Sequence, residues 1–201
     1  MKVFMKTLQL LPVFASLVIL TGCLGLEAKP DPSRFYVLGG GFRETAPEQV
    51  DCSDLVRVGP VSLAGHLDNP KIVRRVGENE IQYFDWRFWA APLSRALPGE
   101  LIASLKTALP NTCVSSYRDA SPGENSAQLE LLVEQFELTN EGNVIVSASW
   151  GITSGHLDSR RQGRATVSRA FEPGTDEVVS GVRALTIALG DLAKIIAEDL
   201  R

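Results

Sequence analysis

The sequence has few of the side chains on which enzymes depend. It has two histidines and three cysteines in 201 residues. It has no G-x-S-x-G elbow, no H-E-x-x-H, no C-x-x-C and no phosphate-binding P-loop. These absences exclude the usual signatures of serine hydrolases, zinc proteases, thioredoxin-like proteins and nucleotide-binding proteins. We therefore expect a protein that is not an enzyme and has no cofactor and no metal site.

A surplus of positive charge is also absent. The chain has 20 Lys and Arg against 24 Asp and Glu, a net charge of −4. Nucleic-acid binding depends on basic patches, so we expect no nucleic-acid partner. The main apolar run, Leu8 to Leu20, is well short of the roughly 20 residues that a membrane-spanning helix needs.

That apolar run belongs to a predicted secretory signal peptide. Lys2 and Lys6 precede it, as expected of a positive region followed by an apolar core. Small residues then lead into a cysteine, and the tetrapeptide resembles the bacterial lipobox: Leu20, Thr21, Gly22 and Cys23. We expect cleavage after residue 22 and attachment of a diacylglycerol and an N-acyl chain to Cys23. An ordinary signal peptide with an incidental cysteine is the alternative.

The residues after Cys23 predict a lipid-anchored domain. Residues 23–33 carry two prolines and few bulky side chains, a composition typical of a tether. Leu24 stands where an Asp usually retains Gram-negative lipoproteins at the inner membrane, so we expect the periplasmic side of the outer membrane. Residues 34–201 form the predicted single domain. Removal of Lys2 and Lys6 leaves 18 basic against 24 acidic residues, a net charge of −6.

Cys52 and Cys113 remain as an even pair in an oxidising compartment. A disulfide between them is one interpretation, and closing so long a loop stabilises a fold by about 4 kcal/mol. Two small buried thiols are the alternative. A metal site is less favoured, because neither cysteine has another Cys or a His at ligand spacing.

Hydrophobic periodicity predicts an α+β fold, with an antiparallel sheet and two amphipathic helices packed on one face. Pro98-Gly99 predicts a kink or restart in the first helix, and a shift of alternation near Val133 predicts a bulge. The predicted strands are 34–38, 55–63, 71–76, 80–84, 127–138, 144–153 and 165–171, and the predicted helices are 92–109 and 175–200.

Several residues that could support chemistry have simpler interpretations. Gly39 to Gly41 could bind phosphate, but no helix start follows, so we interpret them as a strand exit. Ser154 and His156 lie in a predicted polar turn, 154–163, without a third group to orient the histidine. Arg160-Arg161, in that same turn, could bind an anion, but a solvated tip is the favoured interpretation.

Trp86 and Arg87 are the candidate interface. The segment Asp85 to Trp89 contains three aromatics and an arginine just before the first predicted helix. Trp and Arg are enriched at binding hot spots. We expect Trp86 and Arg87 to be partly exposed and to contribute to self-association or partner docking. The alternative is that Phe88 and Trp89 fill the core beneath the start of the helix.

Several motifs, in order and spacing, resemble the ABC-type transport auxiliary lipoprotein family. Besides the lipobox they are Arg34 to Leu38, Val58 to Leu63, Leu67 to Arg74, Asn79 to Ile81, Trp89 to Leu93 and Val144 to Trp150.

The resemblance implies a role without catalysis in an ABC transport system. A lipid-anchored outer-membrane protein would dock a periplasmic tunnel of mammalian-cell-entry (MCE) domains, which carries lipid between the two membranes, and would form a homo-oligomer there. A lipid carrier with an enclosed pocket and an envelope hydrolase are the alternatives.

Overall fold

The computed structural model describes residues 29–40, 52, 54–120, 125–154, 157–172, 174 and 176–201. The described strands and helices all lie within Ser33–Arg201, which forms one compact unit. In chain order they are β1 (Arg34–Tyr36), β2 (Leu55–Leu63), a 3-10 turn (Gly65–Leu67), β3 (Lys71–Gly77), β4 (Glu80–Trp89), α1 (Leu93–Ala108), β5 (Cys113–Ser116), β6 (Ser126–Thr139), β7 (Asn143–Ser154), β8 (Leu157–Ala170) and α2 (Glu177–Asp199).

One sheet contains all eight described strands, and β6 lies at its centre. One edge of β6 pairs with β7, which pairs in turn with β8. The other edge is divided, because its first part pairs with β2 and its last two residues, Leu138 and Thr139, pair with β3. β5 extends the sheet beyond β2, and β4 and then β1 extend it beyond β3.

The α+β class is therefore confirmed, and the sheet is a mixed one. The longest pairings, β6 with β7 and β7 with β8, are antiparallel, as is β3 with β4. Four pairings are parallel: β1 with β4, β2 with β5, β2 with β6, and β3 with β6. The predicted bulge in β6 is present, as the register with β7 shifts between Val133 and Gln135.

Both helices cover the sheet through the apolar stripes that the sequence predicts. Helix α1 packs on β2 and β5, helix α2 packs on β6, β7 and β8, and the helices contact each other. Each stripe is buried. Its members are Leu93, Leu97, Leu101, Leu105 and Leu109 for α1 and Val178, Val182, Leu185, Leu189, Leu192 and Ile196 for α2.

The predicted polar turn over residues 154–163 is wrong, because β8 already begins at Leu157. Arg160 and Arg161 are strand residues on opposite faces of the sheet. Arg160 lies 3.7 Å from the Glu130 carboxylate, and Arg161 donates to the Asp199 carbonyl oxygen at 2.9 Å. The closely spaced arginines favoured a solvated turn in the sequence, but they belong to an edge strand. Charged side chains on an edge strand discourage pairing with another chain.

The restart predicted at Pro98 is absent, because helix α1 runs through this residue, and Leu97 and Leu101 on either side of it are both buried in the core. A kink there stays a prediction. The predicted end of the strand 80–84 is wrong, because β4 extends to Trp89. A bulge beyond Phe84 interrupts the alternation of apolar residues, and so the sequence pattern stops there. The short strand β5 had no periodic signal and was not predicted.

Two glycines of α2 provide a matched test of helix packing. A Cβ at Gly181 would lie 2.4 Å from the buried Leu138 side chain, whereas at Gly190 the nearest atom is 3.9 Å away. We expect Gly181→Ala to destabilise the fold by about 1–3 kcal/mol through overpacking. Gly190→Ala should stabilise it by up to about 1 kcal/mol through helix propensity. Urea unfolding of both variants checks this, and equal effects would contradict the packing.

Candidate docking surface

Asp176 joins the start of α2 to the edge of the sheet. As the N-cap, its Oδ1 accepts from the Val178 backbone N–H at 3.0 Å. Its Oδ2 accepts from Arg34 Nη1 at 2.7 Å and from the Tyr36 hydroxyl at 3.4 Å, and Arg87 Nη2 lies 4.0 Å away. One carboxylate therefore holds a helix and the strands β1 and β4 together.

The surroundings of Asp176 favour its charged form. Burial raises the pKa of this carboxyl, but two backbone N–H groups of the first helical turn, together with Arg87 and Arg34, outweigh burial and lower the pKa below its ordinary value. The Tyr36 hydroxyl shows the opposite shift. Burial and the neighbouring Asp176 charge raise the pKa of Tyr36.

Trp86 projects from a bulge in β4. The register passes from Val73↔Tyr83 to Lys71↔Phe88, so four residues of β4 lie opposite the single residue between Lys71 and Val73. Trp86 has a φ of 58°, a region that bulky residues rarely adopt and that costs about 1–3 kcal/mol. Its side chain is nevertheless 53% exposed, so burial of the indole does not account for this backbone conformation.

The neighbours of Trp86 divide between core and surface. Trp89 is 5% exposed and packs against Phe136, with ring centroids 5.9 Å apart, so it fills the core as the alternative interpretation proposed. Phe88 stacks on Phe35 at 5.6 Å. The Arg87 side chain is 26% exposed and turns towards Asp176. Trp86 is thus about half exposed at the surface, and Arg87 is exposed to a smaller extent.

Four exposed apolar side chains form a second feature, which we call the N-terminal patch: Phe35, Val37, Val179 and Ile187. They line a groove of about 380 Å³ between the segment 35–40 and the first half of α2, together with the exposed Arg183, the half-buried Thr186 and other side chains. The backbone N–H of Gly39 donates to Thr186 Oγ1 at 3.3 Å, which fixes the segment against the helix. Gly39 has a φ of +84°, so the predicted break after β1 is a turn that requires glycine.

A buried ion pair lies on the face of the sheet away from the helices. Glu137 is fully buried, and its Oε1 accepts from Arg75 Nε at 2.5 Å and from Gln135 Nε2 at 3.0 Å. His66, in the 3-10 turn, places Nε2 3.7 Å from Glu137 Oε2, beyond hydrogen-bond distance. Among the described residues, the recorded side-chain partner of this histidine is Glu137.

The same face carries a concavity of about 700 Å³, lined in part by Glu130, Leu132, Arg160 and Arg164. Its charges are paired, with Arg164 Nη2 2.5 Å from Glu134 and Arg160 3.7 Å from Glu130. In the part of the chain that the structure describes, no group of three His, Cys, Asp or Glu could hold a metal ion. The concavity is therefore a mixed surface, in which apolar side chains such as Leu132 lie beside paired charges.

Cys52 and Cys113 lie at the starts of β2 and β5, with Cα atoms 5.6 Å apart and bonded Sγ atoms. That this disulfide forms in the cell envelope stays a prediction.

The lipobox residues, Cys23 and His156 lie outside the described residues. No helix among the described residues is long and apolar enough to cross a bilayer.

Sequence reasoning missed Asp176 and the N-terminal patch. An Asp directly before an apolar stripe is a helix N-cap signal, so the cap was readable, although its arginine partners were not. Phe35 and Val37 belong to a predicted strand, and Val179 and Ile187 belong to a predicted helix. Their proximity depends on how the sheet and helix pack, which no local pattern encodes.

By fold and surface the chain is an α+β domain whose prominent exposed feature is apolar. A family model described as the ABC-type transport auxiliary lipoprotein component matches residues 36–197. The chain belongs to this family, which favours a role other than catalysis.

A named relative agrees with this assignment, and solved structures share the fold. The chain is 28% identical over 131 residues to the intermembrane transport lipoprotein PqiC of Escherichia coli, covering 65% of this chain and 67% of that protein. The fold is similar to a solved uncharacterized protein, with a TM-score of 0.68 at 20% identity over 84% of this chain and 99% of the other. Protein XCC0632 from Xanthomonas campestris gives a TM-score of 0.63 at 19% identity, over 82% and 93% of the two chains.

Two substitutions separate the roles of Asp176. Asparagine keeps the cap but removes the charge that faces Arg34 and Arg87, so Asp176→Asn should cost about 0.2–1 kcal/mol at neutral pH. Asp176→Ala should cost about 1 kcal/mol more, because the cap is lost too.

The pH dependence of stability provides the check. Because the folded-state pKa of Asp176 is lowered, its charge stabilises the fold above the unfolded-state pKa, and this contribution is lost as pH falls through the folded-state pKa. The stability difference between wild type and Asp176→Asn, measured by urea unfolding, should therefore shrink on acidification. A difference independent of pH would contradict the ion pairs.

Proposed function

We propose that the chain is a lipid-anchored outer-membrane component of an ABC and MCE-type intermembrane lipid transport system. Its role is to dock the periplasmic MCE tunnel to the outer membrane. The supporting observation is the family match, which begins in β1 and ends in the last turn of α2. It spans the sheet and both helices, and a relative bearing the name intermembrane transport lipoprotein matches 65% of this chain.

Trp86 is the residue that we assign to docking. An exposed indole on a strained bulge carries two costs, the backbone strain and the apolar surface left in water. Contact with a partner would remove the second cost and give a reason for the first. Trp is also the residue most enriched among binding hot spots. Arg87, held near Asp176, would border this contact and orient it.

The lipid anchor is assigned to Cys23. A thiol after Leu20, Thr21 and Gly22 is the acylation site that a lipobox presents, and two acyl chains give stable attachment. Leu24 favours sorting to the outer membrane. The domain would then stand on the periplasmic side, at the distal end of a tunnel that crosses the periplasm.

A lipid carrier is not favoured by the described surfaces. The space between helices and sheet is filled by side chains such as Leu105, Leu185 and Val146, each fully buried. The concavity on the face of the sheet away from the helices is open, and paired charges such as Arg164 with Glu134 line part of it, which does not suit an acyl chain. A hydrolase is not favoured by the family match, since a transport auxiliary lipoprotein component has a role other than catalysis.

The anchor is tested at Cys23. We expect Cys23→Ala to leave an unprocessed or soluble protein, because the acylated thiol is the proposed membrane attachment. Fractionation of the envelope and mass spectrometry of the N-terminal peptide measure this. An unmodified Cys23 in the mature wild-type protein would refute the lipoprotein assignment.

Docking is tested with Trp86→Gly. Glycine adopts a positive φ without strain, so the variant should keep or raise its melting temperature. Recovery of the MCE partner in a pull-down should fall about tenfold or more if Trp86 is a hot spot. Leu132→Ala is the matched control, since Leu132 is also exposed, at 41%, on the opposite face of the sheet from the helices. If Trp86→Gly recovers as much of the MCE partner as Leu132→Ala and the wild type do, Trp86 is excluded from the interface.

A further inference from the structure

The N-terminal patch is a larger apolar exposure than isolated surface side chains produce. Phe35 is 68% exposed, Val37 64%, Val179 47% and Ile187 46%. They meet around one groove, so the exposed surface is contiguous. Contiguous apolar surface rimmed by polar groups marks a binding site for a protein or a membrane.

Two residues of the patch lie close in sequence to the proposed anchor. Phe35 and Val37 follow Cys23 by only 12 and 14 residues. Even a fully extended chain of that length spans at most about 50 Å. A domain held this close to a bilayer meets its surface at a high effective concentration, so a weak apolar contact is sufficient for seating.

The charges beside the patch are compatible with an anionic lipid surface. The predicted mature chain is acidic, but the two carboxylates at the start of α2 are not free. Asp176 is paired with Arg34, and Glu177 is paired with Arg74. Arg183 lines the groove itself. Aromatic and aliphatic side chains bordered by arginine are the composition found at membrane interfaces.

We propose that the N-terminal patch rests on the phospholipid surface to which Cys23 anchors the chain. The proposal rests on the lipid anchor of the proposed function and adds an orientation to it. A lipid surface is favoured over a protein because four side chains fall far short of the roughly 800 Å² per partner of a stable protein interface. A bilayer requires no shape complementarity, and the tether supplies the rest of the affinity.

The test places a tryptophan reporter inside and outside the patch. The full lipidated chain is prepared as Val37→Trp and as Ile195→Trp, and each is reconstituted in phosphatidylethanolamine and phosphatidylglycerol vesicles with brominated or ordinary acyl chains. Ile195 is the matched control, an exposed isoleucine (37%) on the same helix as Ile187, about 12 Å further along it. The three native tryptophans contribute the same background to both variants.

We expect brominated lipid to quench the added fluorescence of Val37→Trp and to leave that of Ile195→Trp unchanged. Val179→Trp lies inside the patch but on the helix and should be quenched as Val37→Trp is. It replaces Val37→Trp as the reporter if Val37→Trp has a lowered melting temperature. Flotation of the vesicles shows separately whether the protein is anchored.

The remaining outcomes overturn the proposal in distinguishable ways. Anchored protein without quenching at residues 37 and 179 refutes the seating and leaves the anchor intact. Protein that does not float with the vesicles refutes the anchor and, with it, the seating. Absence of quenching combined with loss of an envelope partner in Val37→Asp would assign the patch to a protein interface instead.

Discussion

The fold depends on how one strand shares its hydrogen bonds. β6 pairs along one edge with β7, and its other edge is occupied first by β2 and then by β3. Backbone groups in a sheet interior must be paired. The pairing of β6 with β2 ends at Val133, and the last two residues of β6 pair with β3 instead. Dividing the edge brings two branches together, one ending in β5 and the other in β4 and β1. The docking surface lies at the end of the second branch.

Much of this architecture was predictable where local periodicity carries the information. The stripes of α1 and α2, the bounds of β2 and the bulge of β6 follow from spacings of two and of three or four residues. β8 was hidden because four arginines in ten residues resemble a solvated turn, and only the partners on both faces show why a strand tolerates them. The bulge in β4 concealed the strand beyond Phe84 for a related reason, since it broke the alternation.

The candidate surface was predictable in composition but not in assembly. A tryptophan and an arginine in an aromatic cluster favoured exposure, and Trp86 is exposed. Asp176 gains its role only when β1, β4 and the start of α2 converge, 142 residues apart in the case of Arg34. The N-terminal patch arises in the same way. Contacts of this range depend on the tertiary arrangement, which periodicity does not specify.

The buried Glu137 has a consequence for how the sheet aligns itself. β3 and β6 share only two residue pairs, and a slip of two residues would keep every apolar side chain on its proper face. Hydrophobic pattern alone therefore cannot distinguish the native alignment from its nearest even-numbered errors. A slip would carry Arg75 away from Glu137 and leave a carboxylate uncompensated in the interior, at a cost of about 3–5 kcal/mol. The ion pair between Arg75 and Glu137 therefore stabilises the native register of β3 on β6 over registers shifted by two residues.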